Sequence, residues 1–459
     1  MRRKILIASV LPGVPGVPDM SDYLTIEALE DGLTASLSVN ACEYCVDGDG
    51  NWKSLAANTA TESINSGHTL SFRGELTPNS SDGIGTFTIS KKCNLKGNCM
   101  SMLFGDAGKD KYSLSGKTYA FYKLFNDCAN IVNISENFLP ATTLANYCYG
   151  YMFYACSKLT TAPALPATTL ASHCYRSMFS GCTSLTTAPE LPATKLANYC
   201  YNRMFYTCSS LTTAPELPAT TLASYCYDNM FYNCFSLTTA PELPALTLAN
   251  YCYNGMFSSC ISLVNAPELP ATTLEYACYN YMFYNCTNLT IAPELPAITL
   301  AGYCYNGMFR GCSKLNYIKM LATDISVIEC LTTWVQNVAS TGTFIKNPEA
   351  TWDVVGDSGV PSGWTVKFDG EDINKTINTI TIKFYWDDAF FDGNGYATSM
   401  FPVTSDVSIR DESFNYLIPI AKGNTTGTDK LMYPPDSYSS PIVEPQEDDT
   451  YIYKVIIEQ

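Results

Sequence analysis

Histidine is almost absent from this 459-residue chain, which contains only His68 and His173. Charged residues are scarce as well, at 15%, and 43 acidic residues outnumber 27 basic ones, so the formal net charge is −16. Because phosphate binding needs a basic surface, this balance argues against a nucleic acid partner. The sequence has no run of 18 or more apolar residues, and we therefore predict no membrane-spanning helix.

The usual motifs of catalysis and metal binding are missing too. There is no glycine-rich phosphate-binding loop and no cysteine cluster at zinc spacing, so we predict a non-enzymatic protein with no cofactor and no metal site. Asp47, Asp49 and Asn51 are spaced like the first ligands of a calcium loop. The bidentate acid that should follow is absent, because Asn58 occupies its place. A hairpin turn is the preferred interpretation of this segment.

The dominant feature of the sequence is an internal repeat. Leu-Pro recurs every 26 residues from Leu139 to Leu295 without a gap, and Met-Phe keeps the same period from Met152 to Met308. A degenerate copy precedes the seven full ones, and the pattern decays after Leu315. One unit cannot bury its own apolar side chains, so stacked copies with atypical ends are expected.

Each unit is predicted to contain a helix or helical turn and a short strand. The apolar residues of the first unit are four apart, which is a helical spacing; they are Leu144, Cys148, Met152 and Cys156. Residues 159–163 include a proline, which resists helix formation and favours an extended run. The predicted fold class is therefore an α/β solenoid.

The repeat resembles a known family. Met-Phe-x-x-Cys-x-x-Leu together with Leu-Pro-x-Thr-x-Leu is similar, over about residues 118–330, to the bacterial surface protein 26-residue repeat, a relative of the BspA-like leucine-rich repeats. Segments beginning at Tyr23, Gly74 and Gly359 resemble modules of gut-phage and Bacteroidales repeat proteins. The resemblance implies a leucine-rich-repeat-like array of 26-residue units flanked by β-rich N- and C-terminal domains. It also implies surface display, adhesion or a phage virion role, and no catalytic residues.

Five segments are predicted along the chain. They are a leader (1–19), a β-rich N-terminal domain (20–117), the solenoid with degenerate end caps (118–343), an array-closing segment (344–366) and an acidic β-rich C-terminal domain (367–459). The leader has a basic start and a short apolar run that resemble a weak signal peptide. The last segment contains 16 acidic and 7 basic residues, and its runs 379–386 and 451–457 are predicted strands.

The 20 cysteines allow more than one interpretation. Fourteen of them lie in the seven full units, at positions equivalent to Cys148 and Cys156. Neighbouring copies could form disulfides across the stack, but a column of seven members cannot pair completely. We favour small, buried, reduced thiols, which suit assembly in a reducing cytoplasm.

Two sets of residues are candidate ligand contacts. The first comprises tyrosines in a column that also accepts Ser and Arg, which predicts exposure and stacking on sugars or on a protein partner: Tyr154, Tyr206, Tyr232 and Tyr284. The second is an acidic ladder beside the strands that could hold cations or a basic ligand, or could simply be solvated: Glu190, Glu216, Glu242, Glu268 and Glu294. Each unit has a core tyrosine directly after its first cysteine, which is Tyr149 in the first copy, and the residues just after it, such as Arg176 and Asp228, vary most between copies. They indicate either a specificity surface or drift at exposed positions.

These observations favour an attachment protein on a virion surface, such as a tail fibre. Its expected partners are a host or cell-surface glycan or protein and other virion proteins, and a homo-oligomer is an open possibility. Two alternatives remain: a bacterial cell-surface or secreted adhesin built on the same array, and a passive spacer that presents a terminal binding domain.

Overall fold

The computed structural model describes residues 20–370 and three strands nearer the C-terminus. The chain divides into two compact units, 1–369 and 370–459. The predicted leader and most of the predicted acidic C-terminal domain lie outside the described residues. None of the helices in the described residues has the length and apolar character needed to cross a membrane.

Short strands dominate the N-terminal part of the first unit. They are β1 (Leu24–Ala28), β2 (Ala35–Leu37), β3 (Cys42–Val46), β4 (Lys53–Leu55), β5 (Thr69–Arg73), β6 (Phe87–Ile89), β7 (Cys93–Lys96) and β8 (Ile131–Ile134). Six of them form one sheet in the order β4-β3-β5-β1-β7-β8, and β2 pairs with β6. The helical elements are α1 (Ser101–Phe104) and the 3-10 turns Met20–Asp22, Gly105–Asp110 and Glu136–Phe138. Strand β8 pairs in parallel with β7, and from there the repeats begin.

The 26-residue copies stack in parallel. Single parallel bridges join equivalent positions of successive copies, and one column runs through Thr187, Thr213, Thr239, Asn265, Ile291 and Tyr317. The predicted extended run of each unit is therefore present as an isolated bridge rather than as a longer strand. Because neighbouring strands lie about 4.8 Å apart, eight copies span roughly 40 Å.

The predicted helix of each unit is wrong. Residues 145–156 form a chain of turns in which every fourth residue has a positive φ: Tyr147 (58°), Tyr151 (57°) and Ala155 (57°). A right-handed helix cannot contain such residues. The four-residue spacing of the apolar side chains arises from the turns, whose period is also four.

Backbone hydrogen bonds explain why the turns replace the helix. The N–H groups of Tyr149 and Phe153 donate to the carbonyls of Cys174 and Met178 in the next copy, at 2.9 and 3.0 Å. The residues between them donate three positions back within their own copy, as Met152 does to Tyr149 at 3.2 Å. Half of the donors thus link neighbouring copies, and a helix would leave those links unmade.

Columns of identical side chains fill the interior of the stack. The rings of Tyr149 and Tyr175 are parallel within 5°, with centroids 5.8 Å apart, and Phe153 and Phe179 repeat this at 5.7 Å and 8°. Met152, Cys156 and their equivalents are fully buried beside them. The array is therefore held by apolar burial along its whole length.

The far end of the array is closed by a small parallel sheet. Strand β10 (Thr343–Lys346) lies between β9 (Tyr317–Met320) and β11 (Thr365–Phe368). Trp334 is fully buried and continues both aromatic columns, 6.5 Å from Tyr305 and 6.0 Å from Phe309. A larger ring thus covers the last repeat.

The second unit contributes the remaining described strands. Strand β14 (Tyr451–Val455) pairs antiparallel with β12 (Ile380–Phe384) and with β13 (Ile442–Pro445). The two segments expected as strands therefore lie side by side.

Candidate functional site

We call the surface formed by residues 145–156 and the equivalent turn segments of the other copies the turn face. Tyr154 is 37% exposed, while Tyr206, Tyr232 and Tyr284 are half-buried. The rings of Tyr206 and Tyr232 stack at 4.7 Å with an angle of 2°. Ser180 and Ser258 interrupt the column and are buried. The four predicted tyrosines therefore form one stacked pair and two separate rings rather than a continuous row.

A continuous aromatic ladder, which was not predicted from the sequence, lies beside them. The ring centroids of successive members lie 4.2–4.6 Å apart. The members are Tyr119, Tyr147, His173, Tyr199, Tyr225 and Tyr251. All of these rings are half-buried. The signal was available, since an aromatic residue stands two positions before the core tyrosine in most copies.

His173 is the one imidazole in this ladder. Its ring lies 4.2 Å from that of Tyr147 and 4.5 Å from that of Tyr199, and Nδ1 is 2.7 Å from the hydroxyl of Ser172. Burial, assisted by the nearby charge of Arg176, lowers the pKa of His173 to about 4. The imidazole is therefore neutral at neutral pH and acts as an aromatic member of the stack.

The positions just after the core tyrosine are more buried than either earlier interpretation assumed. Asn202 and Asp228 are buried, as is Asn306 further along the same column. The carboxylate of Asp228 accepts hydrogen bonds from the amides of Asn202, Asn229 and Asn254. Burial raises the pKa of Asp228, and the bond from Asn254 partly offsets this. Drift at exposed positions is therefore the wrong explanation for Asn202, Asp228 and Asn306, which form a buried polar ladder, whereas Arg203 is exposed.

The predicted glutamate row lies on the strand side of each copy. All five side chains are exposed: Glu190, Glu216, Glu242, Glu268 and Glu294. Glu242 and Glu268 line a shallow groove together with prolines, among them Pro244 and Pro270. At the end of the row Lys319 bridges Glu294, at 3.2 Å, and Asp369, at 2.9 Å.

The segment that mimics a calcium loop is a turn. It joins β3 and β4, with Asp47 and Gly48 both at positive φ. The carboxylate of Asp47 accepts from the backbone of Thr69 at 2.8 Å and lies 2.6 Å from His68, and Asp49 accepts from the backbone of Asn51 at 2.9 Å. These oxygens are therefore engaged within the hairpin. In the described part of the chain, no three His, Cys, Asp or Glu side chains converge as a metal site would need.

All 20 cysteines are free and buried. Sixteen of them form two columns through the array, and Cys93 and Cys99 of the N-terminal region extend these columns, since their sulfurs lie beside those of Cys128 and Cys148. Burial raises the pKa of the Cys200 thiol to about 12 and acts in the same direction along both columns. The thiols are therefore protonated core groups.

A stack of short repeats around a leucine-containing apolar core is the architecture of a leucine-rich repeat protein. Residues 117–238 and 227–330 match the BspA type leucine-rich repeat region, in six copies. The repeat array of this chain belongs to that family, as its motifs predicted. No curated protein and no solved structure is significantly similar to the chain.

Proposed function

We propose that this chain is a non-enzymatic attachment protein whose array is a rigid solenoid displayed on a surface, that of a phage virion. The observation that carries the proposal is the turn face, where rings are held half-exposed by a backbone tied to both neighbouring copies. Tyrosine contributes contact area at small entropic cost, because it has few rotatable bonds. A preorganised aromatic surface is suited to glycan or protein recognition.

Tyr154, Tyr206, Tyr232 and Tyr284 are the proposed ligand contacts on this face. The glutamate row is a separate proposed contact for cations or basic groups on the strand side. Other virion proteins and a second copy of the chain are further proposed partners. The buried reduced cysteines support assembly in a reducing cytoplasm rather than a fold that depends on disulfides.

A glycan array probed with the full chain tests the proposal. Tyr154→Ala and Tyr284→Ala should each weaken the signal of a bound glycan by about tenfold, the effect of losing about 1.4 kcal/mol. Tyr112→Ala is the matched control, since Tyr112 is exposed outside the turn face. Loss of binding in the control, or no loss in either turn-face variant, would contradict the assignment of these tyrosines.

Two alternatives have their own discriminating observations. Capsid and tail genes beside the coding gene would exclude the bacterial adhesin. Removing residues 191–268, which are three whole repeats, keeps the register of the remaining copies and tests the spacer hypothesis. Unchanged binding by that shortened chain would favour a spacer whose terminal domain binds the ligand.

A further inference from the structure

The three arginines of the repeats all lie on the turn face against tyrosine rings. Arg176 is 5.8 Å from the ring centroid of Tyr151 and 6.0 Å from that of Tyr199. Arg203 lies 5.7 Å from Tyr206. Further along the array, Arg310 lies over Tyr284 in the same manner. Cation–π contact holds each guanidinium in place without using its N–H donors.

Among the described residues, no carboxylate forms an ion pair with any of these three arginines. Arg73, in the N-terminal region, shows the usual arrangement, with Glu43 at 2.8 Å and Asp106 at 2.7 Å. The chain has 43 acidic residues, so unpaired arginines are not explained by a shortage of partners. A guanidinium carries five N–H donors whose geometry matches a carboxylate, sulfate or phosphate.

Arg176 has a further unsatisfied group. Its Nε is buried and has no hydrogen-bond partner. Asp228 is near enough for the charges of Arg203 and Arg176 to act on its pKa, but it forms no ion pair with either, because the amides of three asparagines occupy its carboxylate in the buried polar ladder. His173, in the adjacent ladder, adds no acceptor charge. The N–H donors of Arg176 and Arg203 are therefore free of any carboxylate among the described residues, although the whole chain is strongly acidic.

The surroundings favour a sugar over an apolar protein anchor. Between residues 113 and 234, Tyr154 is the only large apolar side chain that is exposed. Protein hot spots are usually clusters of large apolar or aromatic anchors, and one exposed ring is a small anchor for a protein partner. It presents instead phenol and guanidinium groups beside ring surfaces, which match hydroxyl groups and the apolar face of a pyranose.

We infer that the turn face over residues 147–206 binds an acidic glycan, with the carboxylate or sulfate of a sugar on Arg203 and Arg176 and its ring against the neighbouring tyrosines. This inference rests on the proposed attachment function and adds the charge class of the ligand. Arg203 is exposed and makes the first contact, and the buried Nε of Arg176 gains an acceptor when the anion enters.

The test uses the full chain and two matched pairs of polymers. Polygalacturonate is compared with its fully methyl-esterified form, and dextran sulfate with dextran, so that each pair differs in charge and the two pairs separate carboxylate from sulfate. Poly-L-glutamate is included as a competing acidic peptide. Arg203→Gln should weaken binding of the preferred acidic polymer about tenfold, and added NaCl should weaken it further.

Lys314→Gln is the charge-matched control, because Lys314 is exposed and bonds Asn288 rather than any tyrosine. Binding of an acidic polymer that is lost in Arg203→Gln and kept in Lys314→Gln supports the inference. Equal binding of the charged and neutral polymers overturns it while leaving glycan attachment intact. Tighter binding of poly-L-glutamate overturns it in favour of an acidic protein partner. Failure to bind any polymer, together with a blank glycan array, contradicts the proposed function as well.

Discussion

The thiol of Cys182 donates a hydrogen bond to the backbone carbonyl of Phe153 in the preceding repeat, with 3.2 Å between sulfur and oxygen. Six other cysteines of this column, the first being Cys156 and the last Cys312, form the equivalent bond at 3.0–3.2 Å. Cysteine at this position is small enough for the core and also satisfies a carbonyl of the neighbouring copy. The column thus contributes to packing and to the cohesion of adjacent repeats.

Removing one of these thiols should destabilise the array locally. Cys208→Ala deletes the bond to Phe179 and leaves a small cavity, so we expect the free energy of unfolding to fall by about 1–2 kcal/mol. Urea denaturation followed by circular dichroism measures the change. Ser209→Ala, which alters a neighbouring half-buried side chain, should leave the midpoint unchanged. Equal midpoints for Cys208→Ala and the native chain would refute this role of the thiol.

Alkaline pH should unfold the array steeply. Burial raises the pKa of Cys148 and Cys200 to about 12, from an ordinary value of 9.0. Above pH 9 the unfolded chain therefore binds fewer protons than the folded one, and stability falls with rising pH. Each such thiol contributes up to about 1.4 kcal/mol per pH unit in that window. Melting temperatures recorded from pH 7 to 11 test this, and a constant value above pH 9 would be inconsistent with protonated buried thiols.

Acid should act through His173. Its pKa in the folded chain is about 4, below the ordinary 6.5. The contribution of the neutral ring to the free energy of unfolding is therefore fully present above pH 6.5 and is lost as the pH falls towards 4. His173→Tyr restores the residue found at this ladder position in Tyr147 and Tyr199 and removes the titration. The melting temperature of the variant should exceed that of the native chain by a margin that grows as the pH falls from 6.5 to 4. A constant difference over that range would show that His173 does not titrate as expected.

The positive φ of the turn residues gives a fourth prediction. Thr207 has φ 60°, which is unfavourable for a β-branched residue, and Gly181 occupies the equivalent position in the preceding copy. Thr207→Gly should therefore raise the free energy of unfolding by about 0.5–1 kcal/mol, after the entropic cost of glycine is subtracted. Thr213→Gly, at an extended bridge position, should lower it. If denaturant titrations showed that both substitutions change the free energy of unfolding in the same direction, the turn geometry would be contradicted.

Several features of the candidate site could be anticipated from the sequence, and others could not. The exposure of Tyr154 and of the glutamates followed from their positions outside the apolar columns. The burial of Asp228 and Asn202 did not, because polar residues are usually exposed and only the stacked amides of neighbouring copies satisfy them here. Unpaired arginines cannot be recognised without coordinates, since pairing depends on which carboxylates the fold brings near.

The sequence by itself determined the period, the stacking and the core columns of this protein. A strict 26-residue repeat with Met152, Phe153 and Cys156 in fixed places has few ways to bury its apolar side chains other than against its own copies. The four-residue spacing of the apolar side chains was less decisive, because it fits a helix and a chain of four-residue turns equally well.

Only the tertiary structure decided between the helix and the turns. A helix satisfies its N–H groups within one segment, whereas the turns of this array give half of theirs to the next copy. That exchange depends on a neighbour 26 residues away, so local propensity cannot report it. The same long-range stacking sets the rings of the aromatic ladder at 4.2–4.6 Å and places Arg176 and Arg203 against tyrosine rings, without an ion pair to any carboxylate of the described residues.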